Sequence, residues 1–117
     1  MTPSAIQARL ERALVRAMTA ADPAEALRRS ARDPRLPAPV RRALRGASED
    51  GVRMAALLVA RLRFERLVRG SPEAEAWFEA DPEGFAAAFR RYHAEVAPTA
   101  FFPPAEARLF QGWMAAR

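Results

Sequence analysis

The chain's one histidine, His93, directly follows its one tyrosine, Tyr92, in the segment FRRYHAEVAPTAFFPP. Because histidine changes charge near neutral pH, this pair could form a working site or a pH-sensitive contact. At about 100° per residue, however, Phe85, Phe89 and Tyr92 share one face of a helix, and His93 lies at its margin. The spacing therefore favours packing, with the imidazole bonded to a backbone carbonyl or to water.

Other combinations that catalysis or metal binding would need are missing from the sequence. A nucleophilic serine requires a nearby base, yet Ser4, Ser48 and Ser71 all stand where helix caps are expected. The chain has no cysteine, which excludes disulfides, thiolate chemistry and cysteine-ligated zinc. A lone histidine has no second histidine with which to bind a metal. We therefore predict no catalytic residue, no metal and no cofactor.

An acidic stretch beginning at Glu79 resembles the front of a calcium-binding loop. The resemblance fails at the twelfth position, where Arg90 stands in place of the required bidentate glutamate. Acidic residues at helix starts are explained by the positive end of the helix dipole. An enzyme using Glu79 and Asp81 as a carboxylate pair is kept as a third hypothesis.

Positive charge is concentrated in the first part of the chain. Residues 1–70 carry fifteen arginines against seven acids, and residues 71–117 carry four against seven. A basic half can bind nucleic acid through phosphate contacts, or can lie against the acidic half of a second copy. The absence of lysine is also typical of a GC-rich bacterial genome. The candidate phosphate-binding residues are Arg9, Arg12, Arg16, Arg41, Arg42 and Arg45.

Residues 37–69 can be drawn as a helix-turn-helix, whose second helix should present its first residues to the bases. Here those residues are Ser48, Glu49 and Asp50, and two of them would repel phosphate. Sequence-specific DNA reading is therefore not expected. Non-specific nucleic-acid binding through the arginine-rich faces is the alternative function.

The elements that position these residues are predicted to be helices, because proline recurs next to cap residues and no segment alternates as a strand does. We predict an all-α fold, a compact single domain over 1–117 with five to seven helices. The segment 49–69 is apolar nearly all round in its first half, which predicts a central buried helix. The other helices are expected at about 3–21, 23–33, 39–44, 72–80, 82–96 and from 104 onward.

Aromatic residues gather in the second part of the chain, nine of them between 77 and 113 against Phe64 alone before it. They can form a core, with the loop phenylalanines closing over the helix of His93, or can leave an exposed patch for a partner. We therefore predict a small non-enzymatic bacterial protein-interaction or regulatory module that binds another protein or itself. The candidate partner-binding residues are Phe101, Phe102, Trp113 and His93.

Neither a signal peptide nor a membrane span is expected. Arginines interrupt the apolar positions of the first helix, so a continuous apolar signal segment is lacking. The longest apolar run, at 54–60, is far shorter than the roughly 20 residues that a membrane span needs. A cytoplasmic location is the expectation.

Overall fold

The computed structural model describes residues 2–117, which contain seven α-helices and no strand. The predicted all-α fold is confirmed, and within this range no helix combines the length and the apolar character that crossing a bilayer requires. The helices are α1 (Pro3–Thr19), α2 (Pro23–Ala31), α3 (Ala38–Gly46), α4 (Glu49–Gly70), α5 (Pro72–Ala80), α6 (Pro82–Glu95) and α7 (Pro103–Ala115).

Four helices begin in the same way, with a polar cap residue followed by proline. The side-chain oxygens of Thr2, Asp22, Ser71 and Asp81 each accept a hydrogen bond from the backbone N–H three residues further on, at 3.1 Å in every case. Proline fits the next position because the first helical N–H has no partner within the helix. This local chemistry explains why the helix starts were readable from sequence.

The chain divides into two compact units, one ending at Val59 and one beginning at Ala60, and α4 contributes to both. The single-domain organisation stays a prediction. The first unit has a core of alanine, leucine and valine with no aromatic residue. Small side chains such as alanine allow neighbouring helices to approach closely. Its buried members are Ala13, Ala17, Leu27, Ala31, Leu36, Val40, Leu44 and Val52.

The second unit has an aromatic core. Phe64 is packed edge-on against Phe78, Phe85 and Phe89, with ring centroids 5.2 to 5.5 Å apart. Edge-to-face pairs of this kind contribute about 0.5–1.5 kcal/mol beyond the burial of their area. The buried members of this cluster are Leu67, Ala74, Phe85, Phe89, Tyr92 and Phe110.

The expectation that the first half of α4 is buried on all sides is wrong. Met54 and Leu57 are each 66% exposed, and Leu58 is 57% exposed. In the first unit the helix buries Val52 and Ala56, which are one turn apart and therefore lie on one face. The first half of α4 carries apolar side chains on all sides, but only the face with Val52 and Ala56 is packed against the core of the first unit. The apolar side chains on its other faces are therefore exposed.

Gly70 ends α4 where another backbone approaches it closely. A Cβ placed there would lie 2.1 Å from the carbonyl oxygen of Pro103, whereas a Cβ at Gly112 in α7 would meet nothing within 4 Å. Neither glycine has a positive φ. Gly70 is therefore required by a steric contact and not by its backbone conformation.

We expect Gly70→Ala to lower the free energy of unfolding by about 1–3 kcal/mol, because the methyl group collides with backbone that cannot easily move. Gly112→Ala, the matched control in the same unit, should raise it by about 0.4–1 kcal/mol, since alanine favours the helix. Urea unfolding of the two variants provides the measurement. Equal effects of the two substitutions would contradict the close approach at Gly70.

Candidate functional site

The second unit contains a fully buried ion pair between Arg63 of α4 and Glu106 of α7. Both side chains have no exposed surface, and the Nε of Arg63 lies 3.0 Å from Oε2 of Glu106. Removing two charges from water costs several kcal/mol per ion, and their attraction offsets this only when the remaining donors and acceptors also find partners. The surroundings of the pair supply those partners.

The other nitrogens of Arg63 bind the end of α6. Nη1 donates to the carbonyl of Val96 and contacts Nδ1 of His93 at 3.3 Å, and Nη2 donates to the carbonyl of Ala97 at 3.3 Å. The last carbonyls of a helix lack partners within the helix and carry partial negative charge. Arg63 therefore acts as a cap for the C-terminal end of α6.

Glu106 is held equally fully. Its Oε2 also accepts a hydrogen bond from the Tyr92 hydroxyl, and its Oε1 accepts one from Nη2 of Arg66 at 3.5 Å. Burial and, after it, the hydrogen bond to Glu106 raise the pKa of Tyr92 well above its usual range. Because Tyr92, Arg63 and Glu106 have no exposed surface, a substrate does not reach them. We interpret this network as structural, because it connects α4, the end of α6 and the start of α7.

The network fixes both ends of the connection between α6 and α7, which we call the diphenylalanine loop (residues 97–102). Arg63 holds its beginning through the carbonyls of Val96 and Ala97, and Glu106 belongs to the first turn of α7 immediately after it. Ala100, inside the loop, is buried. The path of the loop is thus determined by buried contacts on both sides of its tip.

Phe101 and Phe102 form that tip and lie in solvent, 85% and 72% exposed. The expectation that they pack against the helix of His93 is therefore wrong, although Phe110 and Trp113 do pack there, with the ring centroid of Tyr92 5.1 Å and 5.5 Å away respectively. Phe102 is also the N-cap residue of α7, where its side chain makes no capping hydrogen bond. Neither phenylalanine thus gains core burial or helix-capping energy.

The two other predicted partner-binding residues have intramolecular contacts. Trp113 is half-buried, donates from Nε1 to Glu95 at 3.1 Å and lies under the guanidinium of Arg117 at 4.2 Å. His93 stacks on Phe89 and contacts Arg63. The structure brings His93 to the base of the diphenylalanine loop and places Trp113 at the edge of the aromatic core.

The six predicted phosphate-binding arginines divide into two groups. Arg9, Arg41 and Arg45 donate hydrogen bonds to backbone carbonyls within the first unit. The other three are exposed, and within residues 2–117 they form no ion pair. These three are Arg12, Arg16 and Arg42. Phosphate binding by these residues stays a prediction.

The acidic stretch around Glu79 has a structural explanation. Asp81 accepts a hydrogen bond from the N–H of Gly84 and caps α6, and Glu79 is an exposed residue of α5. Within residues 2–117, no group of three or more histidine, aspartate or glutamate side chains is placed to hold a metal ion.

Comparison with models of protein families, with curated proteins and with solved structures finds no match to this chain.

Sequence reasoning missed Arg63 and Glu106, although one signal was available. Arg63 stands four residues before Leu67 and three after Ala60, so it falls inside the apolar stripe of α4. A charged residue in a buried stripe requires a buried partner. The sequence contains fourteen acids and does not indicate which one supplies it.

We expect the Arg63–Glu106 pair to show strong coupling in a double-mutant cycle. Glu106→Gln alone should lower the free energy of unfolding by about 3–5 kcal/mol, because it leaves a buried guanidinium without its counter-charge. Adding Arg63→Met should recover part of that loss. The exposed pair Arg61 and Glu65, 3.4 Å apart, is the control and should show coupling of about 0–1 kcal/mol. Additive effects at the buried pair would contradict the network.

We expect His93 to make stability depend on pH. Burial, followed by the nearby charge of Arg63, lowers the pKa of His93 below its ordinary value of 6.5. As the pH falls through 6.5, His93 binds a proton in the unfolded chain before it does so in the folded chain. The free energy of unfolding therefore decreases.

The control is His93→Asn, whose side-chain oxygen can still accept a hydrogen bond from Arg63 and does not titrate in this range. Urea unfolding at a series of pH values between neutrality and the range where carboxylates titrate should show a smaller slope for this variant. The same slope in both proteins would exclude His93 as the source.

Proposed function

We propose that this protein is a non-enzymatic protein-interaction module in which Phe101 and Phe102 are the anchors that enter an apolar pocket of the partner. The observation that carries the proposal is the exposure of these two adjacent side chains, 85% and 72%. Large aromatic side chains inserted into a pocket dominate the binding energy of many interfaces.

The position of Phe102 supports a role outside folding. An N-cap residue stabilises a helix when its side chain accepts a hydrogen bond from the backbone, as serine and aspartate do. Five of the other six helices use such residues, and the exception is α3, which begins after Pro37. In α7 the N-cap residue is phenylalanine. Positions that break a local folding rule are expected at functional sites.

The buried network supports the proposal through pre-organisation. Binding through a flexible loop costs free energy, because the loop must be ordered in the complex. Here the carbonyls of Val96 and Ala97 are held by Arg63, and Ala100 is buried beside the tip. A loop fixed in this way presents its two rings at a lower ordering cost.

The test is capture of partners from the native host with the wild-type chain and with Phe101→Ser/Phe102→Ser. We expect one stoichiometric protein to be recovered by the wild type and lost with the double variant. Met114→Gln, which removes another exposed apolar side chain at 39% exposure, is the matched control and should retain that protein. Nuclease treatment should not change the recovery.

Light scattering of the purified chain tests whether the partner is a second copy. Self-association that Phe101→Ser/Phe102→Ser abolishes would support the proposal with the chain as its own partner. If capture and self-association are both insensitive to this double variant, the anchors are wrongly assigned. Recovery that depends on intact nucleic acid would favour the alternative function.

Stability provides an independent readout at the same position. We expect Phe102→Ser to raise the free energy of unfolding by about 0.5–1 kcal/mol, because serine supplies the missing cap of α7. A side chain that served the core would give the opposite result, since truncating a buried phenylalanine costs about 3–5 kcal/mol. Urea unfolding distinguishes these outcomes before any partner is known.

A further inference from the structure

A groove of about 510 Å³ in the first unit is lined by residues of α1, α2 and the segment that follows α2. Four guanidinium groups and one carboxylate line it, together with the hydroxyl of Ser30. The interaction surface of the proposed function lies in the second unit and contributes no residue to this groove. Its lining residues are Arg16, Ala17, Ala26, Arg29, Ser30, Arg32, Asp33 and Arg35.

The carboxylate of the groove is already occupied. Asp33 accepts hydrogen bonds from Nε and Nη2 of Arg35 at 3.1 and 3.2 Å, and a third from the backbone N–H of Arg35 at 2.9 Å. The side-chain hydrogen bond from Arg35 is the first cause of a lowered pKa at Asp33. Asp33 is therefore paired with Arg35, and at longer range it also attracts Arg16. Four guanidinium groups against this one carboxylate still leave the groove with an excess of positive charge.

The remaining arginines of the groove have little compensation. Arg29 and Arg32 reach a single oxygen of Glu25, at 3.8 and 4.0 Å, while the other oxygen of Glu25 binds Arg28 at 3.2 Å. Among residues 2–117, no hydrogen bond is described for the side chains of Arg16, Arg29, Arg32 or Ser30. The groove thus concentrates unused donors and an excess of positive charge.

We propose that this groove binds a phosphate-bearing ligand, with two or more adjacent phosphate groups lying between Arg16 on α1 and Arg29 and Arg32 on the α2 side. The planar guanidinium group matches the oxygens of phosphate and can bind two of them at once. The volume of about 510 Å³ falls within the range of volumes found for ligand-binding sites and is larger than a single phosphate ion would fill. All residues of this groove belong to the first unit, whereas the diphenylalanine loop belongs to the second.

Calorimetric titration of the purified chain at about 50 mM salt tests the site, because charge interactions are only moderately screened under these conditions. The probes are inorganic tripolyphosphate, ATP, a short single-stranded thymidine oligonucleotide and, as a simple anion, sulfate. We expect tripolyphosphate to bind at one molecule per chain and sulfate to bind far more weakly.

The variant Arg16→Gln/Arg29→Gln/Arg32→Gln should weaken tripolyphosphate binding by about 100-fold or more, since each lost charged hydrogen bond typically costs about tenfold. All three side chains are exposed, so the variant should fold, and circular dichroism checks this. The matched control, Arg90→Gln/Arg91→Gln/Arg108→Gln in the second unit, removes the same charge from exposed side chains and should change the affinity by less than about threefold.

Tighter binding of ATP than of tripolyphosphate would identify a nucleotide as the phosphate source. Tighter binding of the oligonucleotide, with affinity falling steeply as salt rises, would identify a nucleic-acid backbone. The proposal is overturned if no probe binds, if sulfate binds as well as tripolyphosphate, or if the control variant in the second unit weakens binding as much as the groove variant does.

Discussion

A charge that has been removed from water must be fully satisfied, and this constraint organises the second unit. The partners of Arg63 are the carboxylate of Glu106, the backbone carbonyls of Val96 and Ala97, and the ring of His93. These groups come from the end of α6 and the start of α7. Folding therefore cannot complete around Arg63 unless the connection between these helices takes one path. The exposed position of Phe101 and Phe102 follows from that path, because Ala100 before them and Glu106 after them are buried.

The helix starts were predictable because their chemistry is local. A cap oxygen and the N–H that it binds are three residues apart, so Asp22 or Asp81 followed by proline carries its own explanation. Burial was less predictable because it depends on distant residues. Leu57 and Leu67 have the same side chain on the same helix, yet one is 66% exposed and the other fully buried. Composition does not distinguish them.

The candidate sites show the same division. Phe101 and Phe102 could be singled out from sequence as an aromatic pair between prolines, but their exposure depends on Arg63 and Glu106, which are 43 residues apart in the chain. The arginine groove was harder to foresee, because Arg16 and Arg32 become neighbours only when α1 and α2 pack together. A count of positive charge indicated the basic half without indicating which side chains would lack acidic partners.

The two cores differ in composition in a way that affects how the chain can be observed. Residues up to Val59 contain no tryptophan, tyrosine or phenylalanine, so every aromatic chromophore belongs to the second unit. Tryptophan fluorescence and the near-ultraviolet dichroism of the chain thus report on that unit alone, whereas the far-ultraviolet helix signal reports on both. Without any introduced label, a comparison of these signals during unfolding separates the melting of the aromatic core from that of the alanine-rich one.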